Sequence, residues 1–219
     1  MSKYDDMVEW AESEGAVFAF KGDSRLMKAI GFVLRVLRIN REFLTEYTST
    51  LGSTIYYPSR EWLASKDERV LTSLIAHEVT HIIDQRELGS IRYVLMYLSP
   101  QIFGILGLLS LAGFWNPLAF YFAAFFLCLG PWKSPGRQWV EVRGYAATMA
   151  ALNWEVGAVY DVPPDWIVKQ FVGSQYYYIN RRRHEILWEL SRMLYLIDTG
   201  EIVDEIPHLR QVKEILETR

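Results

Sequence analysis

Apolar and polar positions alternate with several different periods along this chain, and each period predicts a different element. In residues 4–14 large apolar side chains recur among acids at helical spacing, which predicts a short helix stopped by Gly15; Val17-Phe18-Ala19-Phe20 then predicts a strand. Asp23 or Ser24 can cap a helix through RLMKAIGFVLRVLRI, which carries Arg25, Lys28, Arg35 and Arg38 among many large apolar residues. Two readings fit it: a core helix with cationic edges, taken first, or a helix lying at a membrane surface. Residues 42–57 alternate, are rich in Thr and Tyr, and contain Leu51-Gly52-Ser53, so they predict a β-hairpin ended by Pro58-Ser59. Ser59 can cap a short helix over 60–67, and Asp67 a longer one, ERVLTSLIAHEVTHIIDQREL, stopped by Gly89.

The period then disappears. Residues 93–132 are forty positions without Asp, Glu, Lys, Arg or His. A bilayer core needs about 20 apolar residues per helical pass, so the block has the length of two passes. Phe114-Trp115-Asn116-Pro117 is the natural turn between them. If the first arm starts at Pro100, an α-helix of roughly 15 residues reaches only about 22 Å of the ~30 Å core, so a re-entrant hairpin fits as well as a full crossing. Beyond the block, RQWVEVRGYAATMAALNW predicts a helix that Gly136 or Gly144 bends. A linker at 161–164 and helices near 165–172, 181–198 and 207–217 complete the chain. The organisation is residues 1–92, an inserted hairpin at 93–132 and residues 133–219; the fold class is α+β, mainly helical.

Composition narrows the chemistry. A net charge of −3 and a pI near 5.9 argue against a nucleic-acid partner, which normally leaves a basic footprint. One cysteine, Cys128, permits neither an internal disulfide nor a thiolate metal cage. The start, MSKYDDMVEWAESEG, is acidic and lacks the features of a secretion signal, so the N-terminal part is expected to stay on the side of synthesis. Arg86, Arg92, Lys133, Arg137 and Arg143 flank the base of the hairpin while its tip is uncharged, which by the positive-inside rule turns the base toward the cytoplasm.

His77-Glu78-Val79-Thr80-His81 carries the candidate chemistry. Residues i and i+4 share a helical face, so both imidazoles can reach a single ion. Glu78 stands where a general base must stand to take a proton from a metal-activated water. A third ligand is required. Asp84 is the nearest acid, but it lies about 10 Å along the helix from His77, too far to share an ion held at ~2 Å by each ligand; support from behind or a salt bridge suits it better. Glu141, on the helix that begins just after the apolar block, is the better candidate, with Tyr145 one turn along as a candidate oxyanion donor. The tyrosine run 176–178 and His184 are further candidates for that role, and Arg181-Arg182-Arg183 is either a solvated helix start or a contact for anionic headgroups.

HEVTH followed by Glu141-x-x-Gly144-Tyr145 resembles the gluzincin arrangement, and an apolar hairpin between the two motifs resembles the HtpX-type and CAAX-processing membrane metallopeptidases. The resemblance covers about residues 70–150, with Gly144-Tyr145 standing where the HtpX-like proteins have Ala-Asp. It implies a zincin-like core, Zn2+ held by His77, His81 and Glu141, Glu78 as base, and a peptide or protein substrate cleaved at the cytoplasmic face of a lipid bilayer. Two other readings lead to different experiments. A non-catalytic membrane or phage- or envelope-associated protein would keep a structural or vestigial zinc site with no need of a base. A soluble zincin using its hairpin as a dimerisation arm would not fractionate with membranes.

Overall fold

A computed structural model describes residues 2–36, 39–157, 162–173 and 179–217. Two central helices organise the fold, α4 (Glu68–Leu88) and α6 (Pro135–Val156), which pack along each other. Every residue from 75 to 84 and from 140 to 151 is buried. Neither helix therefore shows a polar face, and their hydroxyls bond within their own helix: Thr72 Oγ1 to the Glu68 carbonyl at 2.6 Å and Thr80 Oγ1 to the Ala76 carbonyl at 2.8 Å. Buried Ala146, Ala147, Ala150 and Ala151 keep α6 slim enough to take neighbours on several sides. Those neighbours arrive late in the chain: α8 (Arg183–Thr199) and α10 (Leu209–Glu217) pack on α6, and α10 also meets α1 (Lys3–Ser13), which packs on α4. Short α3 (Arg60–Ala64), α7 (Asp165–Val172) and α9 (Ile202–Glu205) link these layers, α9 in a stretch where the sequence predicted no helix.

The sheet is small. β1 (Val17–Phe20) pairs parallel to β3 (Thr54–Tyr57), and β2 (Ser49–Leu51) pairs antiparallel to β3, giving the order β1-β3-β2 with β2 at an edge. Gly52 turns the hairpin at φ +62°. The predicted hairpin over 42–57 is thus shorter than its alternation suggested, because residues 39–48 leave the sheet and fold over the cavity described below.

α2 (Arg25–Val36) corrects the first reading of its sequence. Only Met27 and Gly31 are buried, while Leu26, Phe32, Val33 and Val36 are exposed. Helical periodicity identifies an apolar face, but it does not say whether protein covers it.

The apolar block forms a hairpin of an unexpected kind. α5 (Ser90–Leu98) leads at an angle of 84° into an outgoing arm, Gln101–Phe114, and a returning arm, Pro117–Leu129, follows after Trp115-Asn116. Both arms are 3₁₀ rather than α. The reason lies in GILGLLSLAG: Gly104, Gly107, Ser110 and Gly113 recur every third residue, the 3₁₀ repeat, and so share one face. A Cβ at Gly104 would stand 2.3 Å from Leu129, at Gly107 2.6 Å from Phe126, and at Gly113 2.6 Å from Phe120, partners that also lie three or six residues apart. A rise of about 2.0 Å per residue makes the arms about 28 and 26 Å long rather than the 22 Å expected of α-helix. Among the described residues no single helix is long and apolar enough to cross a membrane; α5 and the outgoing arm pass that test only as a bent pair. Of the basic residues flanking the hairpin, Arg143 is buried against Asp84, and Arg86 and Lys133 pair with Glu14 and Glu185.

Candidate metal centre

α4 and α6 bring three of the predicted residues together. His77 and His81 sit one turn apart on α4 with ring centroids 4.7 Å apart and ring planes at 90°. Opposite them on α6, Glu141 Oε2 lies 3.7 Å from His77 Nε2 and 4.0 Å from His81 Nε2. All three residues are buried, and their donor atoms fall within 4.8 Å of one another. Ligands at 2.0–2.1 Å around a tetrahedral ion stand about 3.4 Å apart, so this triangle is slightly wider than a loaded one.

The Glu141 carboxylate supplies the test of fit. Its Oε1 accepts a hydrogen bond from Tyr97 Oη at 2.7 Å, whereas Oε2 is buried without a partner. Leaving a buried carboxylate oxygen unsatisfied costs more than most neutral groups would. The imidazole nitrogens that face it are too far for hydrogen bonds, and a cation among the three satisfies all of them at once. The group could hold a metal ion. Behind it, Thr148 Oγ1 meets His77 Nδ1 at 3.3 Å and leaves Nε2 for the ion, while His81 Nδ1 is buried without a partner.

Gly144 has a different task from the predicted bend. α6 runs through it unbroken, and a Cβ there would lie 2.7 Å from His77 Nε2 and 2.9 Å from His81 Cε1. The glycine is the floor on which both imidazoles rest. Gly136 likewise does not bend α6; it sits in the first turn, where a Cβ would meet Met96 at 2.2 Å.

The remaining candidates separate. Glu78 lines the same cavity as the three donors, and its Oε2 accepts from Thr50 Oγ1 of the edge strand at 2.6 Å. Asp84 is not one of the three grouped donors and pairs with Arg143, which donates from Nε at 3.1 and 3.0 Å and from Nη2 at 2.8 Å. This buried pair ties α4 to α6 just beyond the ligands, the salt bridge its spacing suggested. Tyr145 is 7% exposed and packs its ring edge-on against His77 at 4.8 Å, with Trp166 and Phe171 on its other sides. It is not among the described residues that line the cavity. His184 is exposed at the start of α8, and the tyrosine run 176–178 lies outside the described residues.

No family model, curated protein or solved structure matches this chain. The centre opens into a cavity of about 500 Å³, a size that suits a small ligand or a peptide side chain. Leu34, Ile39, Phe43, Val94 and Leu98 give it apolar walls, and Ser49, Thr50 and Leu51 of β2 also line it. Buried Lys21 secures the 39–48 segment: its Nζ donates to the Phe43 carbonyl at 2.6 Å and lies 3.8 Å from the centroid of that ring. Burial pulls the Lys21 ammonium down to about 8, against the attraction of Glu78.

Electrostatics divide the two histidines. Burial works against a charged His77, but the nearby carboxylates of Glu141 and Glu78 outweigh it and hold its pKa above the ordinary value. Burial and the neighbouring His77 push His81 down to about 4. Glu78 is raised by burial, whereas Glu141 is lowered, since the two imidazoles and Tyr97 outweigh its own burial.

Tyr97, which donates to Glu141, is the residue of this group that the sequence hid. It lies inside the apolar block, where a tyrosine reads as one more membrane-compatible aromatic. Tyr97→Phe is expected to keep the fold and to lower metal affinity about 10–100-fold, the usual cost of losing a group that orients a ligand. Competition titration against a chelator measures it; wild-type affinity in the variant would mean that the phenol does not hold the carboxylate.

Proposed function

We propose that this chain is a zinc-dependent metallopeptidase of zincin type, acting on peptide or protein substrates at a lipid bilayer. The observation that carries this reading is the partnerless Glu141 oxygen facing two imidazole nitrogens, with Glu78 in the same cavity. Two imidazoles and a carboxylate are a donor set that suits zinc and leaves it an open position. Zinc held there would supply Lewis acidity and an acidified water.

The protein's own groups do the rest. Thr50 fixes one oxygen of Glu78, leaving the other to take a proton from the attacking water and return it to the leaving amine. β2 has its outer edge open among the described residues, so an extended peptide can add to it as a further strand. That strand would pass directly over Glu78, because the same residue, Thr50, belongs to the edge and touches the base. The apolar walls receive a substrate side chain and exclude water.

The bilayer part of the reading rests on the hairpin. Ile105, Leu108, Leu111, Phe114, Leu118 and Leu127 are each at least 56% exposed, while the glycine face is turned inward. So much apolar surface on one projection calls for a partner.

The experiment is zinc analysis of detergent-purified protein together with casein hydrolysis before and after chelation. One zinc per chain is expected, with hydrolysis lost on chelation and restored by added zinc. A wild type that takes up no zinc overturns the metal reading; zinc without hydrolysis of any peptide pool overturns the catalytic one and leaves a structural site. Recovery of the protein in the soluble fraction of lysed cells overturns the bilayer assignment.

A further inference from the structure

The exposed face of α2 is a second apolar surface, separate from the hairpin. Its inward side is formed by buried Met27 and Gly31 and by half-buried Ile30 and Leu34; Leu44 packs so closely on Gly31 that a Cβ would stand 2.6 Å from it. The other apolar side chains face out: Leu26 at 54% exposure, Phe32 at 68%, Val33 at 51% and Val36 at 61%, with Ala29 exposed among them. At 100° per residue they fill one arc of about 120° on the side away from the protein. Lys28 and Arg35 border that arc, and Arg25 stands at its N-terminal end. None of the three is in an ion pair among the described residues.

The charge around this arc is one-sided. From residue 24 to residue 41 the sequence has five basic residues and no acidic one, in a chain whose net charge is −3. We propose that α2 lies in the plane of an anionic lipid surface, its apolar arc at the acyl boundary and Arg25, Lys28 and Arg35 among the phosphates. Two observations favour lipid over a second copy of this chain. Pairing α2 with itself would bring two unpaired cationic borders together. And Leu34 and Ile39 line the same cavity as Tyr97 and Leu98 of α5, the helix that leads into the hairpin, where Ile91, Val94 and Leu95 are also exposed. Docking α2 sets the part of that cavity lined by Leu34 and Ile39 near headgroup level. The inference depends on neither metal nor hydrolysis, so its failure would leave both readings standing.

The test uses the full chain with Cys128→Ser and a single environment-sensitive fluorophore on Ala29→Cys. The protein is reconstituted into vesicles of phosphatidylcholine or of equal parts phosphatidylcholine and phosphatidylglycerol. On the anionic vesicles the Ala29 probe is expected to shift to the blue, to be quenched by lipid-borne nitroxide and to escape soluble acrylamide. A probe on Glu12→Cys of α1 is expected to remain open to acrylamide. Each basic residue near an anionic surface contributes about fivefold to binding, so replacing Arg25, Lys28 and Arg35 by Glu should shift docking of α2 on the order of 100-fold and return the Ala29 probe to water. Circular dichroism and the melting temperature report whether that variant has kept its fold. An Ala29 probe that stays open to acrylamide on anionic vesicles overturns the proposal. So does a probe that becomes shielded only as protein concentration rises, without nitroxide quenching, which is the signature of a second copy.

Discussion

Glu78→Gln is expected to bind zinc as the wild type does and to hydrolyse peptides about 10²–10⁴-fold more slowly. The size follows from what the substitution removes. Glutamine has almost the same volume, and its amide oxygen can still accept the 2.6 Å hydrogen bond from Thr50, so the side chain keeps its place beside the edge strand. It cannot hold a proton between the attacking water and the leaving amine. That loss corresponds to about 2.7–5.4 kcal/mol of transition-state stabilisation. Metal should be retained because the donor atoms belong to His77, His81 and Glu141, and Glu78 is not one of them. Zinc analysis and kcat measured on the same preparation separate the two roles. Hydrolysis at the wild-type rate would sink the assignment of Glu78, and loss of zinc would make Glu78 part of the metal site rather than its base.

How much of this site could be read from the chain depended on distance in sequence. His77, Glu78 and His81 are legible because one helical turn fixes their relation. Glu141 was reachable because it lies on a second helix that begins just after the apolar block, and a hairpin brings its ends together. Asp84 could be set aside as a ligand by helical rise alone, although its partner Arg143 could not be named. Tyr97 and Gly144 were out of reach for a different reason: each does its work through one tertiary contact, which leaves no period in the sequence. A tyrosine in an apolar run and a glycine in a helix have several ordinary explanations, and the bend assigned to Gly144 was one of them.

The same limit explains the misread elements. α2 has the apolar period of a core helix, and nothing local reveals that its apolar face stays exposed among the described residues. The hairpin arms are apolar all round, so periodicity offered no choice between α and 3₁₀; the glycines at 104, 107 and 113 hold that information, but only once their partners at 129, 126 and 120 are known. β1 was found as a strand, yet its parallel pairing with β3 is non-local and follows from neither segment alone.

Gly144→Ala should produce a well-folded protein that has lost its metal, an outcome that runs against the ordinary effect of that substitution. In a helix interior alanine is favoured over glycine by about 1 kcal/mol, so propensity alone predicts a more stable α6. The added methyl, however, would stand 2.7 Å from His77 Nε2, 2.8 Å from His77 Cε1 and 2.9 Å from His81 Cε1. Real Cβ atoms do not approach so closely, and the atoms in the way include a nitrogen that must face the ion. Both rings line the cavity, so they can swing into it. The backbone can then stay in place, and the fold gives up less than the 1–3 kcal/mol that overpacking usually costs. The ligand triangle does not survive this movement, because Glu141 is held on the other side by Tyr97 and cannot follow. The expected result is a melting temperature close to that of the metal-free wild type, unchanged helicity, and zinc affinity lowered at least 100-fold, approaching that of Glu141→Ala, which removes a ligand without crowding the rings. Wild-type zinc affinity in Gly144→Ala would mean that the imidazoles do not rest on α6 when the ion is bound, and the three-residue centre would have to be redrawn.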